Sequence, residues 1–89
     1  MNTIWKYELE LVDYQEIEVP ESYEILTVQV QHYRPCMWVR LNPEMKTVKI
    51  PIYIYGTGDY LKANNLKYLS TFMRSNSSLV FHVFTETGF

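Results

Sequence analysis

The sequence lacks the covalent and metal cross-links that most often stabilise a small domain. Cys36 is the only cysteine among 89 residues, so no disulfide can form within one chain. One cysteine and two histidines, His32 and His82, are too few for the usual four-ligand zinc site. We therefore predict no metal and no cofactor. A lone thiol is typical of a reducing compartment. Because so short a chain buries little surface alone, we also expect a homo-oligomer.

Long apolar runs are absent as well. A membrane helix needs about 20 consecutive apolar residues, and no stretch of the sequence approaches that length. Charged residues interrupt the first segment at Lys6, Glu8 and Glu10, unlike the continuous apolar middle of a signal peptide. We expect a soluble cytoplasmic protein that does not contact a membrane.

Acidic residues are concentrated at the beginning of the sequence. Residues 1–24 hold seven acidic side chains and one lysine, whereas residues 25–89 hold seven basic and three acidic side chains. The total is a net charge of −2. A negative total opposes binding to double-stranded DNA, which requires many phosphate contacts. The acidic segment either forms a binding surface or only keeps a strand edge soluble.

The apolar residues alternate with a period of two, which is typical of β-strands. We expect residues 4–11 and 16–19 to form one hairpin and residues 25–31 and 36–41 a second. Residues 47–55 form a further strand, in which Pro51 indicates a sheet edge or a bulge. The last two strand candidates, 68–74 and 79–86, flank a polar linker at 75–78 and suggest a third hairpin.

These segments predict a single mainly β domain over residues 1–89. The expected architecture is a small antiparallel barrel or sandwich of six to seven short strands. Leu26, Val28 and Val30 are expected to share one face of their strand. At most one short helix is expected, near residues 59–67. Residues 66–73 allow a strand or a continuation of that helix, and we favour the strand.

No motif of a known catalytic class is present. The sequence contains no Gly-x-Ser-x-Gly, no His-Glu-x-x-His and no Gly-x-x-x-x-Gly-Lys-Ser/Thr pattern. Cys36 and His82 would act as nucleophile and base only if the fold brought them together with a group that orients the histidine. A cysteine packed as a small apolar side chain is the commoner case. We predict a protein without enzymatic activity.

The segment Gly56-Thr57-Gly58 ends a strand and is the first candidate ligand site. Glycines let backbone amides approach a phosphate or a carbonyl group. A planar base could stack on neighbouring tyrosines, and an anion could bind a neighbouring lysine. The alternative is a plain turn whose glycines supply positive φ angles. The candidate ligand-binding residues here are Tyr55, Gly56, Thr57, Gly58, Tyr60, Lys62 and His82.

The segment QHYRPCMWVR, residues 31–40, is the second candidate site. It holds Tyr33, Arg34, Trp38 and Arg40, which are residue types that anchor interfaces and bind phosphates and bases. The alternative is a core Trp38 with the Arg40 side chain lying over it.

Four short motifs, IWKY, PCMW, IYGTG and FHVF, are distributed along the chain. Together they resemble a family of small phage-encoded domains of unknown function. The resemblance covers nearly the whole chain and implies a viral origin and a location in the host cytoplasm. It implies no particular chemistry. By analogy of context, small phage proteins often bind a host defence protein or a nucleotide signal that such a protein produces.

Three functions are therefore compatible with the sequence. The one we expect is sequestration of a small, anionic, nucleotide-derived signalling molecule by the loops at Gly56–Gly58 and Arg34. The second is inhibition of a host defence protein through an acidic surface that includes Glu8, Glu10, Glu16 and Glu18. The third is a structural or assembly role in the virion, which a protein inventory of purified virions would reveal.

Overall fold

The described residues form seven antiparallel strands in two sheets. The computed structural model describes residues 1–74 and 78–88. A three-stranded sheet has the order β1-β4-β3, and a four-stranded sheet has the order β2-β5-β7-β6. The strands are β1 (Thr3–Glu8), β2 (Tyr14–Pro20), β3 (Glu24–Gln31), β4 (Arg34–Leu41), β5 (Thr47–Gly56), β6 (Leu66–Met73) and β7 (Val80–Glu86). The predicted mainly β fold is confirmed, and it is sandwich-like rather than a closed barrel.

The core lies between the two sheets and is formed by the inward positions of nearly every strand. The alternation in β5 places Ile50, Ile52 and Ile54 inside, at 4% exposure or less. The buried cluster comprises Leu9, Val19, Val28, Met37, Val39, Leu41, Ile50, Ile52, Ile54, Phe72 and Val83. Most strands therefore direct one face into the core, and most side chains on the opposite faces are at least partly exposed.

The sheets approach each other most closely along β3 and β6. The Ser70 hydroxyl on β6 donates a 2.7 Å hydrogen bond to the carbonyl of Val28 on β3. Ser70 is buried, and the bond satisfies a carbonyl that points away from β4. This contact joins one edge of the sandwich, whereas β1 and β2 are the outermost strands on the other side.

The expected N-terminal hairpin is wrong. β1 pairs with β4 and β2 pairs with β5, so the first two strands belong to different sheets. Residues 9–13 carry the chain across the roughly 10 Å between packed sheets, and Leu9 enters the core on the way. The Gln15 side chain holds this crossing by accepting from the Glu10 amide and donating to the Glu10 carbonyl.

The hairpins of β3 with β4 and of β6 with β7 are confirmed, but one face assignment is wrong. A bulge between Ile25 and Thr27 shifts the register with β4. The extra residue reverses the alternation before Val28, so Leu26 is exposed while Ile25 packs against the core. The predicted linker between the last two strands includes residues 75–77, which lie outside the described residues.

Pro51 lies in an inner strand rather than at a sheet edge, yet it costs no ladder hydrogen bond. The β5–β7 ladder covers only Tyr53 to Gly56 on β5. Towards β7, the Pro51 carbonyl accepts a 2.6 Å hydrogen bond from the buried Thr85 hydroxyl. In an antiparallel sheet a residue directs its N–H and C=O to the same side. Position 51 therefore directs both groups towards β7, beyond the end of the β5–β7 ladder, so no ladder partner needs the N–H that proline lacks.

The candidate helix near residues 59–67 does not form, which agrees with the expectation of at most one short helix. Residues 57–65 are turns and irregular chain, and β6 begins at Leu66. Asn65 adopts a left-handed conformation, with φ of 58°, which a continuing helix does not allow. Residues 66–73 are the strand that we favoured. In the described part of the chain no helix could span a membrane.

Candidate functional site

The outer face of the four-stranded sheet carries a row of aromatic side chains. The registers place Tyr14 opposite Tyr53, Tyr53 opposite Phe84, and Phe84 opposite Tyr68. One aromatic residue from each of the four strands thus lines up across the sheet. We call these four residues the aromatic row. Such a row forms because side chains directly opposite each other on an antiparallel sheet share one face.

The rings of the aromatic row pack in two pairs, and Tyr55 connects them, with its ring centroid 6.0 Å from that of Phe84. The ring centroids of Tyr14 and Tyr53 lie 5.1 Å apart, and those of Phe84 and Tyr68 lie 5.8 Å apart. Tyr55, two residues after Tyr53, has its ring parallel to that of Tyr53 within 2°, with 6.2 Å between centroids. Mutual packing fixes these rings, so the outer face offers a largely preformed aromatic surface.

A groove of about 580 Å³ borders this aromatic surface. The chain after β5 turns at Gly58, whose φ of 97° favours glycine. The Asp59 carboxylate accepts a 2.8 Å hydrogen bond from the Gly56 amide and so fixes the turn. The next residues form one wall of the groove. We call it the tyrosine groove. The residues that line it are Asp13, Tyr14, Tyr53, Tyr55, Gly58, Asp59, Tyr60 and Lys62.

Two tyrosine hydroxyls of the tyrosine groove donate to carboxylates. The Tyr53 hydroxyl bonds to Glu86, and the Tyr14 hydroxyl bonds to Glu16 at 3.0 Å. The bond to Glu86 favours the neutral phenol and raises the pKa of Tyr53 to about 12. The bond to Glu16 raises the pKa of Tyr14 in the same way. Together with Asp13 and Asp59, these carboxylates make the groove more acidic than the sequence suggested.

Beside the tyrosine groove, His82 lies at the centre of a chain of hydroxyl groups. Its Nε2 is 2.8 Å from the Thr57 hydroxyl, and its Nδ1 is 3.1 Å from the Thr71 hydroxyl. The Thr71 hydroxyl lies 2.8 Å from the Tyr68 hydroxyl. Both imidazole nitrogens therefore have partners within the protein. His82 fixes the Thr57 turn against β7 rather than pointing into the groove.

The Arg34 candidates lie in a different groove. The β3–β4 hairpin tip, with Tyr33 and Arg34, borders a groove of about 280 Å³ that no residue of the tyrosine groove lines. Arg34 pairs with Glu8 at 3.6 Å. The tip residues His32 and Tyr33 have φ angles of 53° and 67°, unusual for bulky side chains. Within one chain, the loops at Arg34 and Gly56–Gly58 thus do not form one pocket.

Trp38 and Arg40 lie on the outer face of the three-stranded sheet. Trp38 is half-buried, and Arg40 pairs with Glu24 on β3 at 2.6 Å. Cys36 is on the same strand face but is buried. The Lys6 ammonium on β1 reaches across β4 and donates a 2.7 Å hydrogen bond to the side-chain oxygen of Gln31 on β3. Neither Trp38 nor Arg40 lines the tyrosine groove.

The four glutamates of the inhibitor hypothesis do not share one surface. Glu8 is on β1 in the three-stranded sheet, whereas Glu16 and Glu18 are on β2 in the other sheet. Their strands place them on opposite outer faces of the sandwich, and Glu10 lies in the crossing between the sheets. Among the described residues, no group of three or more His, Cys, Asp or Glu side chains could hold a metal ion.

Four of the predicted ligand-binding residues, Tyr55, Gly58, Tyr60 and Lys62, line the tyrosine groove. The aromatic row was not identified as a unit because its members come from four separate strands. The outward alternation of Tyr53 with Tyr55, and of His82 with Phe84, was the available signal. Joining these signals required the strand order and register.

Comparison with known families adds a classification to this geometry. The model of a domain of unknown function, DUF7352, matches residues 1–88. The chain belongs to this family. No curated protein and no solved structure matches this DUF7352 domain. The proposed function therefore rests on the geometry of the tyrosine groove.

Proposed function

We propose that this protein is a non-enzymatic binding protein that takes a planar, nucleotide-like ligand into the tyrosine groove. The observation that carries the proposal is the groove itself, about 580 Å³ between a packed tyrosine surface and the chain after Gly58. That volume lies within the usual range of small-molecule sites, about 300–1,000 Å³. A base with one sugar is of suitable size for it.

Stacking would supply most of the affinity. Tyr60 is 87% exposed and lines the groove opposite the sheet surface, so its ring is free to close over a ligand. Base–aromatic stacking contributes about 1–3 kcal/mol per base. Tyr53 is held by packing against Tyr14 and against Tyr55, which is 8% exposed and supports it from the sheet, and this packing reduces the entropy lost on binding.

The charges of the groove select among nucleotide classes. Lys62 and the backbone near Gly58 suit one phosphate group. Asp13 and Asp59 instead suit hydroxyl and amino donors such as those of a ribose or a base. A chain of several phosphates would meet repulsion from these carboxylates. We therefore infer that nucleosides and nucleotides with one accessible phosphate bind better than nucleoside triphosphates or oligonucleotides.

In the biological setting that the phage resemblance implies, binding would remove a nucleotide-derived signal in the host cytoplasm. Sequestration needs affinity and abundance but no catalytic group. The two partnered nitrogens of His82 and the burial of Cys36 are compatible with such a role. The acidic-surface inhibitor is the weaker alternative, because its glutamates are distributed over two faces.

Isothermal titration against nucleosides, mononucleotides, cyclic mononucleotides, cyclic dinucleotides and cyclic ADP-ribose-like molecules tests the proposal. Tyr60→Ala should weaken binding about 5- to 150-fold, the equivalent of one lost stacking contact. Tyr33→Ala is the matched control, since Tyr33 is 81% exposed but lies outside the groove. Binding by no member of the panel to the folded protein, or equal losses in both variants, would contradict the proposal.

A second pair of variants tests the phosphate contact. Lys62→Gln should weaken binding of a mononucleotide but leave its parent nucleoside unaffected. Lys67→Gln removes an exposed lysine that does not line the groove and should change neither. If Lys62→Gln weakens nucleoside and nucleotide equally, Lys62 does not contact phosphate.

A further inference from the structure

The sandwich has two outermost strands that are not covered by another strand in the described residues. β3 and β6 meet through the Ser70–Val28 hydrogen bond, which leaves β1 at the end of one sheet and β2 at the end of the other. An outermost strand presents backbone N–H and C=O groups that can pair with another chain. The two strands differ in how they restrict such pairing.

The backbone groups that face outward from β1 can be assigned. The Leu9 amide donates to the carbonyl of Pro35, its direct partner, at 2.9 Å. In an antiparallel ladder, residues that bond to the partner alternate with residues that face away. The register of β1 with β4 is regular from Thr3 to Glu8. Ile4, Lys6 and Glu8 therefore direct their backbone groups to the open edge.

β2 is protected against self-pairing. The Ile54 amide donates to the Asp13 carbonyl, so by the same alternation Glu16, Glu18 and Pro20 face outward. Proline has no N–H to donate. Two copies of β2 would also bring carboxylates of Glu16 and Glu18 together, and like charges directly opposite are destabilising. These are the usual devices that prevent edge pairing.

β1 is less protected, because Lys6 is a charged residue of the kind that discourages edge pairing, but β1 has no proline and no two like charges among its outward-facing residues. Its outward-facing residues are one apolar, one basic and one acidic, with no proline between Thr3 and Glu8. Ile4 is 55% exposed and Trp5 is 44% exposed, so apolar surface accompanies the open backbone. Exposed apolar side chains on a weakly protected edge strand are typical of a pairing site.

We propose that β1 pairs antiparallel with β1 of a second copy of this chain, around a two-fold axis at Trp5. The interface would join the two three-stranded sheets into one six-stranded sheet. This register places Ile4 opposite the Lys6 of the other copy and Trp5 opposite its counterpart. Five strand residues, Thr3 to Tyr7, overlap, and no like charges face each other.

The other registers that satisfy the backbone bonding are less favourable. A two-fold axis at Lys6 would place two ammonium groups opposite each other. An axis at Tyr7 would pair Lys6 with Glu8, and an axis at Ile4 would pair Ile4 with its counterpart, but each would overlap only three strand residues. The Trp5 register alone combines a long overlap with burial of the exposed Ile4 and Trp5. Each protomer would retain its own tyrosine groove, since that groove lies on the other sheet, so this inference does not depend on the proposed function.

Light scattering with two variants of Ile4 tests the interface. The wild-type protein should have about twice the 10.7 kDa chain mass. Ile4→Lys places like charges opposite each other twice, whereas Ile4→Glu removes the same apolar group but faces Lys6 of the other copy. Ile4→Lys should therefore raise the dimer dissociation constant about ten-fold or more relative to Ile4→Glu. A wild-type monomer at the highest soluble concentration, or equal effects of the two variants, would overturn the proposal.

Cysteine cross-linking tests the register independently. Trp5 and its counterpart would form a non-hydrogen-bonded pair, with Cα atoms about 4.5 Å apart, within the range that a disulfide can bridge. Trp5→Cys should form a cross-linked dimer on mild oxidation, whereas Tyr7→Cys should not. The native Cys36 is buried, and the wild-type protein serves as the control. Rapid cross-linking of Tyr7→Cys without that of Trp5→Cys would refute the Trp5 register.

Discussion

Thr85→Val is the most direct test of how the four-stranded sheet tolerates a proline in an inner strand. Thr85 is 1% exposed, and its hydroxyl donates to the Pro51 carbonyl at 2.6 Å. Valine has nearly the same shape as threonine but no donor. The substitution therefore leaves packing intact and leaves one buried carbonyl without this bond.

The size of the effect follows from the burial of both groups. Leaving a buried acceptor unsatisfied costs about 1–3 kcal/mol. For a domain of this size, each kcal/mol lowers the melting temperature by about 4–8 °C. No cavity is created, so the loss should come from the hydrogen bond and not from packing.

Urea unfolding followed by circular dichroism measures this loss. Thr85→Val should unfold at lower urea concentration with an unchanged slope, since the surface exposed on unfolding is the same. Thr47→Val is the matched control, because Thr47 is on the same sheet but exposed, and it should stay within about 0.5 kcal/mol of wild type. If Thr85→Val is as stable as wild type, the Thr85 hydroxyl is not needed to satisfy the Pro51 carbonyl. Our explanation of how β5 tolerates Pro51 beyond the end of the β5–β7 ladder would then be wrong.

Three further changes test other parts of the structure. Tyr23 has a buried hydroxyl with no hydrogen-bond partner in the described residues, so Tyr23→Phe should leave the free energy of unfolding unchanged or raise it by up to about 1 kcal/mol, measured with urea. Tyr33→Gly should raise it by up to about 1 kcal/mol, because glycine relieves the left-handed strain at φ of 67° although its unfolded state is more flexible; a loss of stability would argue against strain at the tip. The pKa of Tyr53 is about 12 in the folded chain and about 10 when unfolded. Its contribution to stability should be complete below pH 10 and lost as the pH rises towards 12. Tyr53→Phe should flatten this decline in urea unfolding across that range, and an equally steep decline would show that another group causes it.

Much of the fold could be predicted because alternation is a local property. The run of Ile50, Ile52 and Ile54 identifies both the strand and its buried face without knowledge of its neighbours. Leu26 shows where this reasoning fails. A bulge adds one residue to β3, and nothing in the local pattern distinguishes it from a regular strand.

Pairing between strands was less predictable than the strands themselves. Residues 4–11 and 16–19 alternate like the two halves of a hairpin, yet β1 and β2 enter different sheets. The deciding factors are the burial of Leu9 in the crossing and the pairing partners β4 and β5, which lie far along the chain. Such long-range choices depend on the whole core.

The candidate site was predictable only where its residues are close together in the sequence. The neighbours Tyr55, Gly58, Tyr60 and Lys62 are close in sequence, and they line one groove. Arg34 was grouped with them by residue type alone, and the fold places it in a different groove. Tyr14 was missed because its place beside Tyr53 depends on a register between distant strands.

Amide chemical-shift mapping tests the central claim, that the tyrosine groove is the ligand site, most directly. Adenosine 3′,5′-cyclic monophosphate is a suitable probe because it combines a planar base with a single phosphate charge. We predict that its addition shifts the amide signals of Tyr55, Gly58, Tyr60 and Lys62 together and saturably, with little change at Tyr33 and Arg34. Shifts confined to the β3–β4 hairpin tip, or none at concentrations that leave the protein folded, would contradict the claim.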